Sequence, residues 1–529
     1  MQLNELPSTC FGLPVFQAAL AIRPLDGLAI VIYLLAILGM GVYFSRRMKT
    51  TENYFLGGRS FPGWAVGLSL FGTNISSITF LALPAAAFKG TWELNTQNAV
   101  LPIAAIFAVV VIIPFFRRAG LVSAFEYLED RYGSVPRLYA AISFIVLQIA
   151  RVALILYLIA IPASAIFDVP IETVIIVGGV VIGLYTILGG IEAVIWTDVI
   201  QTLVLIVGGI LCVGAVVLEL PGGVSDVIEA GVEGGKFNVG SWKFDWHEKN
   251  VYVLVLWGLT GYVKTFCADQ NVVQRYAASA STREARKATV IWALLSVPTW
   301  YFFMFLGTCL FVYYNQFPDP EVAAIPRDES ERVLPYFVLN EIPAGIAGII
   351  LAAVLAAAMS TMDSGVNAMA TVTVIDILKR YSTRERSDAF YLKTARWLSG
   401  FYTCAVIGCA IWYLDLEKDS IAHLSIVVGA LFGGCVGGMF LVGFFTTRVD
   451  NRSAVIAMAI AILVNVYFVL DNFDKIPEQL SLGVYSYYVV ILVNIVFAVF
   501  AYGIALIRGK PPKDIDRLTV WTTARRAGS

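Results

Sequence analysis

Small polar residues interrupt an otherwise apolar segment near the start of the chain. Residues 63–88 read GWAVGLSLFGTNISSITFLALPAAAF and are long enough to cross a membrane. The residues that interrupt this segment are Gly72, Thr73, Asn74, Ser76, Ser77 and Thr79. Polar atoms cost free energy at the centre of a bilayer unless they face protein or a cavity, and glycine permits an unwound helix centre whose carbonyls can bind a cation. The pattern therefore predicts a cation site at this interruption, in a cation-coupled transporter.

A second interruption lies in the sequence LAAVLAAAMSTMDSGVNA. Ser360, Thr361, Asp363 and Ser364 interrupt an alanine-rich helix there. Small residues let helices approach closely, and hydroxyl groups are hard oxygen ligands of the kind that sodium prefers. The alternative is that these hydroxyls bond to carbonyls of their own helix, which is common in membrane helices. Two polar clusters and an acid together favour a cation site.

The charged residues that fall inside predicted spans include Asp198, Arg151 and Lys264. An acid within a span, such as Asp198, predicts a functional role, and its partner could be a sodium ion, Arg151 or Lys264. Asp198 could instead be an interfacial acid near the cytoplasmic end of its span. Arg151 has a planar guanidinium that matches a carboxylate, so we expect it to contact a carboxylated solute or to brace a neighbouring helix. Lys264 could join the same anion site, pair with Asp269, or extend to the membrane interface.

The composition is that of a polytopic membrane protein, and we expect an all-α fold. Of the 529 residues, 58% are hydrophobic and only 14% are charged, against about 25% in soluble domains. The net charge of −1 says nothing about nucleic acid, and no basic tract is long enough to indicate nucleic acid as a partner. Thirteen apolar runs have the length of a membrane span: 26–45, 62–88, 97–116, 138–167, 172–189, 194–218, 251–273, 289–315, 342–378, 395–415, 422–446, 453–470 and 483–507.

The basic residues predict the orientation of these spans. With the N-terminus outside, 26 Lys and Arg residues fall on the inner side, counting Arg396 at the inner end of the span 395–415, and 9 fall in outer connections. We therefore expect a multi-pass protein of the plasma membrane, a bacterial inner membrane, with a cytoplasmic C-terminus.

The sequence also argues against an enzyme. The two histidines, His247 and His423, are poorly placed to act together, and no soluble catalytic domain is evident. The seven cysteines are scattered without CxxC spacing, so we interpret them as core residues and not as a metal or disulfide set.

Five motifs carry a resemblance to a known family. In chain order they are YFLGGRSFPGWAVGLSLFGTNISSITF, EYLEDRYG, GGIEAVIWTDVIQ, DQNVVQRY and AAAMSTMDSGVNA. The chain resembles the sodium/solute symporter family, and within it the bacterial sialic acid symporters. The resemblance implies a LeuT-like fold of two inverted five-helix repeats, each with a broken first helix. It divides the chain into an N-terminal segment with the first helix (1–61), a ten-helix core (62–449, with repeats 62–218 and 251–449), and two extra C-terminal helices with a tail (450–529).

The resemblance also implies ion-binding residues. A sodium site would use the carbonyls of Gly72, Ile75 and Ala357 and the hydroxyls of Ser360 and Thr361. A second sodium site would use Asp198, Ser360, Asp363 and Ser364. Asp363 stands where the relatives have serine, so its carboxylate could strengthen the ion site, take a proton or face elsewhere.

The resemblance also implies a solute site, which keeps the arginine expected to bind a carboxylate but differs from the relatives at other polar residues. Its residues would be Asn74, Ser76, Thr79, Asn98 and Arg151, with Lys264. Arg151 is kept, whereas Asn74, Asn98 and Lys264 replace a threonine and two glutamines of the relatives.

We therefore expect sodium-driven symport of a carboxylated sugar or organic anion by alternating access, with one or two sodium ions. An anionic solute gives a physical reason for two, because its charge opposes the membrane potential that drives one sodium inward. A neutral sugar, an amino acid, a monocarboxylate, or a sensor that binds without transporting remain alternatives. The partners expected are the solute and the bilayer, with no obligatory protein partner.

Overall fold

The computed structural model describes residues 22–46, 48–76, 78–119, 121–384, 386–416, 429, 432–473, 475–509 and 515–525. Within these ranges the chain is helical and forms no strand; an isolated bridge joins Phe61 to Ser279. His423, Cys10 and nine of the 25 residues of the predicted span 422–446 lie outside the described residues. The other six cysteines are free thiols.

The body of the protein is a bundle of long apolar helices. In chain order they are α1 (Pro24–Ser45), α2 (Gly63–Asn74), α3 (Thr79–Lys89), α4 (Trp92–Arg117), α5 (Ser134–Phe167), α6 (Ile171–Glu219), α7 (Val251–Ala268), α8 (Gln270–Ala278), α9 (Thr282–Gln316), α10 (Ile346–Tyr381), α11 (Asp388–Trp412), α12 (Val436–Phe445), α13 (Asn451–Asn472) and α14 (Ser486–Arg508). Short helices lie between them, at Thr51–Leu56, Glu126–Tyr132, Val224–Glu233, Pro320–Ala323 and Val333–Asn340, and a further short helix, Val520–Arg525, follows α14.

Ten of these helices are long and apolar enough to cross a membrane, or eleven spans if α2 and α3 form one bent span, counted over the described ranges. The expected number of thirteen is not confirmed and stays a prediction. One difference arises in α6, whose 49 residues would extend for about 74 Å, more than twice the hydrocarbon thickness. Its backbone breaks at Gly190 (φ 55°, ψ −156°), between the two spans that the sequence predicts there.

Two helices are interrupted where the resemblance implies a broken first helix of each repeat. The axes of α2 and α3 differ by 62°, and the residues between them include Ile75 in an extended conformation (φ −95°, ψ 95°). The second interruption is Asp269 (φ −83°, ψ 111°), which separates α7 from α8 and caps α8 through its side chain.

The alanine-rich helix α10 lies at the centre of the bundle. Of its most apolar window, 83% is buried, whereas the other spans bury between 22% and 56% of theirs. It packs against α1, α2, α5 and α6. Because its side chains are small, these neighbours approach closely, and its few polar residues face protein.

Candidate functional site

The break after α2 frees backbone carbonyls near the centre of the bundle. In an unbroken helix, the carbonyls of Gly72 and Thr73 would accept from backbone N–H groups four residues later. Helix α10 supplies replacement donors. The Ser360 hydroxyl donates to the Gly72 carbonyl oxygen over 2.9 Å. The Thr361 hydroxyl donates to the Thr73 carbonyl oxygen over 3.1 Å, so the two hydroxyls connect α10 to the end of α2.

Four of the five residues expected at the sodium site contribute to this group of oxygens. The Ala357 carbonyl is the fourth, and it accepts from Ser360 over 3.2 Å and from Thr361 over 3.5 Å. Hydroxyl bonds of this kind, to carbonyls of the same helix, are the alternative that the sequence analysis left open. They are longer than the bonds that Ser360 and Thr361 donate to the carbonyls of α2. Ile75 is buried beside the break, but no hydrogen bond joins it to Ser360 or Thr361.

This oxygen group fits a sodium ion by its chemistry. Hydroxyl and carbonyl oxygens are hard ligands, and the four atoms carry no formal charge. Over the described part of the chain, no group of three or more His, Cys, Asp or Glu residues could hold a metal ion. The donor set therefore suits a monovalent cation better than a transition metal.

A second polar cluster forms around a buried arginine that the sequence analysis did not single out. Arg275 lies in α8 and is 1% exposed. Its Nη2 lies 2.8 Å from Asp198 Oδ2, and this ion pair joins α8 to the second half of α6. Its Nε donates to the Ser69 hydroxyl over 2.7 Å, and its Nη1 donates to the Asn271 carbonyl over 2.7 Å.

Two residues expected near the second sodium belong to the same cluster, which we call the Arg275 cluster (Ser69, Thr73, Asp198, Arg275 and Ser364). Arg275 Nη2 donates to the Ser364 hydroxyl over 2.7 Å and to the Thr73 hydroxyl over 2.8 Å. These two hydroxyls are 2.9 Å apart. The expected partners of Asp198 were a sodium ion, Arg151 or Lys264; the observed partner is Arg275.

Asp363 contacts both its neighbour Ser364, whose hydroxyl donates to Asp363 Oδ1 over 3.3 Å, and helix α6. Asp363 Oδ2 accepts from the Tyr185 hydroxyl over 2.8 Å and lies 3.4 Å from the Thr197 hydroxyl. Its Oδ1 accepts from the backbone N–H of Ser364. Of the possibilities that the sequence left open, this geometry corresponds to a carboxylate directed at α6.

The residues expected at the solute site are distributed over two regions. Ser76 and Thr79 are buried at the break, where the Ser76 carbonyl accepts from the Thr79 backbone N–H over 2.9 Å. Asn74 donates to the Leu70 carbonyl of its own helix over 2.8 Å. Asn98 donates to Asn95 over 2.8 Å and accepts from the Tyr262 hydroxyl over 2.7 Å.

Lys264 and Leu147 lie near Gly433, one turn of α5 away from Arg151. Arg151 is exposed and forms no hydrogen bond or ion pair with the described residues. A Cβ placed on Gly433 would lie 2.7 Å from Lys264 Nζ and 3.5 Å from Leu147 Cδ1. Leu147 and Arg151 are four residues apart on α5 and share one helix face. Lys264 forms no ion pair with Asp269, whose carboxylate accepts from Asn271.

The model of the sodium:solute symporter family matches residues 54–461, which is most of the chain. The chain belongs to the sodium:solute symporter family. A sodium/sialic acid symporter of Proteus mirabilis is 35% identical over 439 residues, which cover 82% of this chain and 86% of the relative. A solved structure of a Na+-coupled sialic acid symporter, in a substrate-bound outward-open state, superposes with a TM-score of 0.83 at 31% identity and covers 92% of this chain and 98% of that one.

The symporter also shares its fold with a more distant transporter. Mhp1, of the nucleobase-cation-symport-1 family, superposes with a TM-score of 0.56 at 14% identity and covers 86% of this chain and 94% of its own. The fold is therefore LeuT-like, as the motifs implied. The protein is a multi-pass membrane symporter that couples sodium to a small organic solute by alternating access, and it is not an enzyme.

Sequence reasoning missed Arg275, which lies at the centre of the Arg275 cluster. It was counted among the connections because the apolar run ends at residue 273, and its burial corrects that placement. The available signal was its position in DQNVVQRY, four residues after Asn271 on one helix face.

Proposed function

We propose that this symporter takes up a carboxylated sugar of the sialic acid type, with sodium bound between the broken end of α2 and the centre of α10. The single observation that carries the ion assignment is the contact of Ser360 and Thr361 with the freed carbonyls of Gly72 and Thr73. The relatives named above support the solute class.

Sodium would act by holding two helices together. The hydroxyls of α10 and the carbonyls of Gly72 and Ala357 would turn toward the ion, and Ile75 would add a carbonyl from the break. An ion that binds better when α2 and α10 are joined shifts the population toward the conformation in which they are joined. Because Asn74, Ser76 and Thr79 adjoin the same break, this shift also organises one wall of the solute site.

Arg151 is the proposed anchor of the solute carboxylate. Its guanidinium has no ion pair within the described residues, and its planar fork can donate two parallel bonds to a carboxylate. Lys264 lies near Gly433 and Leu147, one turn of α5 away from Arg151, and would add positive charge for an anionic solute. Asn98, held by Tyr262, would contribute polar contacts on the sugar side.

The orientation belongs to this proposal as well. The excess of Lys and Arg on one side of the spans supports an outside N-terminus, a cytoplasmic C-terminus and a bacterial inner membrane.

Uptake into proteoliposomes tests the proposal. Radiolabelled sialic acid should accumulate under an imposed sodium gradient, fail to accumulate when choline replaces sodium, and leave after a sodium ionophore is added. Excess unlabelled monocarboxylate, neutral sugar and amino acid serve as competitors. Accumulation of sialic acid without sodium would overturn the coupling, and sodium-driven uptake of only a neutral competitor would overturn the solute class.

A further inference from the structure

A lysine from the connection between α6 and α7 caps the end of α3, the second half of the broken helix. The side chain of Lys236 is buried. Its Nζ donates to the Phe88 carbonyl over 2.7 Å and to the Ala87 carbonyl over 3.3 Å. Both carbonyls belong to the last turn of α3, where the helix has no backbone N–H groups left to bind them. The ammonium group therefore satisfies the free carbonyls of α3.

The charge of Lys236 is stabilised by a helix end and an aromatic ring. Its Nζ lies 3.7 Å from the centre of the Phe311 ring of α9. A positive charge is favourable over an aromatic face and at the C-terminus of a helix. Within the described residues, Lys236 forms no ion pair with a carboxylate. Burial, followed by the charge of Arg327, lowers the pKa of Lys236 to about 8, so the amine is charged at pH 7.

The backbone of Lys236 is itself held in place. Its N–H donates to the Gly231 carbonyl over 2.9 Å, and its carbonyl accepts from the backbone N–H of Trp92, at the start of α4, over 3.0 Å. The Trp92 indole in turn donates to the Thr308 hydroxyl of α9 over 3.0 Å. Lys236 thus connects the end of α3 to α4 and α9.

The proposed sodium and solute sites involve different sides of the break. Thr79, expected at the solute site, is the first residue of α3, whereas Gly72 and Ile75, expected at the sodium site, precede that helix. The backbone of α3 packs closely on α9, since a Cβ added to Gly307 would overlap the Pro84 carbonyl. Because a helix transmits a displacement along its length, the placement of its last turn affects the placement of Thr79.

We propose that Lys236 is a positioning residue for solute binding, which holds α3, and with it Thr79, in the orientation that the solute site requires and does not act on the sodium site. The inference rests on the solute and sodium sites proposed above. Loss of the charge should therefore weaken solute binding and leave sodium binding intact. A residue that served stability alone would affect both affinities or neither.

Solute uptake, together with sodium binding in the absence of solute, separates these roles. Lys236→Met nearly keeps the length of the side chain and removes its charge. In proteoliposomes at saturating sodium and pH 7, the KM for sialic acid should rise about three- to tenfold, the range typical of residues that act on a site without touching it, with Vmax unchanged. The half-maximal sodium concentration for thermal stabilisation without solute should equal that of the wild type.

Two further variants control for charge and for the loop. Lys236→Arg keeps a positive charge and should recover most of the affinity for sialic acid. Lys243→Met removes an exposed lysine of the same connection and should leave both measurements unchanged. A wild-type KM in Lys236→Met, an equal loss in Lys236→Arg, or a parallel loss of sodium affinity would each overturn the inference. Sodium-independent uptake of sialic acid by the wild type would overturn the proposed function instead.

Hydrogen exchange tests the contact itself without any solute. Backbone amides of α3 should exchange faster in Lys236→Met than in the wild type, whereas those of α2 should exchange at the wild-type rate. Unchanged exchange in α3 would overturn the inference whichever solute is carried. If Lys236→Met does not fold, Phe311→Leu removes the aromatic face and should cause a smaller loss of the same kind. Wild-type KM and wild-type exchange of α3 in Phe311→Leu would then overturn the inference.

Discussion

The Thr361 hydroxyl donates to the Thr73 carbonyl oxygen over 3.1 Å, across the contact between α10 and the broken end of α2. Ten residues later on the same helix, the Thr371 hydroxyl donates only within α10, to the Asn367 carbonyl over 2.8 Å. Both threonines are buried. The Thr361 side chain therefore connects two helices at the proposed sodium site, whereas the Thr371 side chain bonds only within its own helix.

This pair gives a matched test of the sodium site. Thr361→Val removes one oxygen ligand with little change of shape, and we expect sodium affinity to fall about ten- to a hundredfold, because a lost polar contact costs about 1–3 kcal/mol. Thr371→Val removes an equally buried hydroxyl away from the break and should leave sodium affinity unchanged. Half-maximal sodium concentrations for uptake and for thermal stabilisation measure both. Equal shifts in the two variants would mean that Thr361 acts through stability alone.

Arg151 predicts a specific dependence on the solute carboxylate. Arg151→Ala should weaken binding of sialic acid about ten- to a hundredfold, because the anion loses a charged bidentate partner worth about 1.5–3 kcal/mol. Arg151→Lys should recover part of the affinity, since it keeps the charge and loses the fork. The measurement is competition by sialic acid and by its methyl ester. The wild type should prefer the acid, and Arg151→Ala should lose that preference. Retained discrimination in Arg151→Ala would exclude the anchor role.

The sequence predicted the break after α2 and the break within α6 because their causes are local. Glycine and hydroxyl residues within an apolar run indicate a break near residue 72 wherever that run packs, and the structure breaks just after Asn74. The sequence also predicted two separate spans within α6, at 172–189 and 194–218, and the backbone breaks between them at Gly190.

The partners across helices could not be predicted in this way. Asp198 and Arg275 are 77 residues apart, and the pattern of charges pointed to a sodium ion, Arg151 or Lys264 as the partner of Asp198. Asp363 and Ser364 are neighbours in sequence, but consecutive residues point about 100° apart around a helix and so contact different partners. The choice depends on how α6, α8 and α10 pack, which no local signal encodes.

The break in α6 depends on a residue without a side chain. Gly190 adopts φ 55° and ψ −156°, and an added Cβ would lie 2.7 Å from the Tyr54 carbonyl oxygen. Gly190→Ala should therefore destabilise the symporter by about 1–3 kcal/mol from backbone strain alone. Gly214→Ala is the control in the same helix, because no atom lies within 4 Å of its added Cβ, and it should leave stability unchanged or slightly raised. Thermal unfolding in detergent measures both. A similar unfolding temperature for the two variants would contradict the requirement for glycine at 190.

Glu129 joins three elements: its own short helix (Glu126–Tyr132), the start of α5 and the end of α10. Its Oε2 accepts from Arg137 Nη1 of α5 over 2.6 Å, and its Oε1 accepts from Arg380 Nε at the end of α10 over 2.6 Å. The hydrogen bond from Arg380, followed by that from Arg137, lowers the pKa of Glu129 below its ordinary value of 4.5. The charged carboxylate therefore stabilises the folded state above that value, and this stabilisation is lost as the pH falls through the lowered pKa.

Glu129→Gln should accordingly lower stability at pH 7 and have a diminishing effect below about pH 4.5, where the unfolded carboxyl becomes protonated. The loss at pH 7 should be on the order of 1 kcal/mol, because Arg380 is 46% exposed and water screens its charge. The neighbouring Asp130 is the control. Partial desolvation and the charge of Glu129 raise the pKa of Asp130, so Asp130→Asn should not destabilise at pH 7. Unfolding temperatures of the wild type and both variants between pH 4 and pH 8 test this. A deficit in Glu129→Gln that is constant over the whole range would show that the side chain acts by packing and not by its charge.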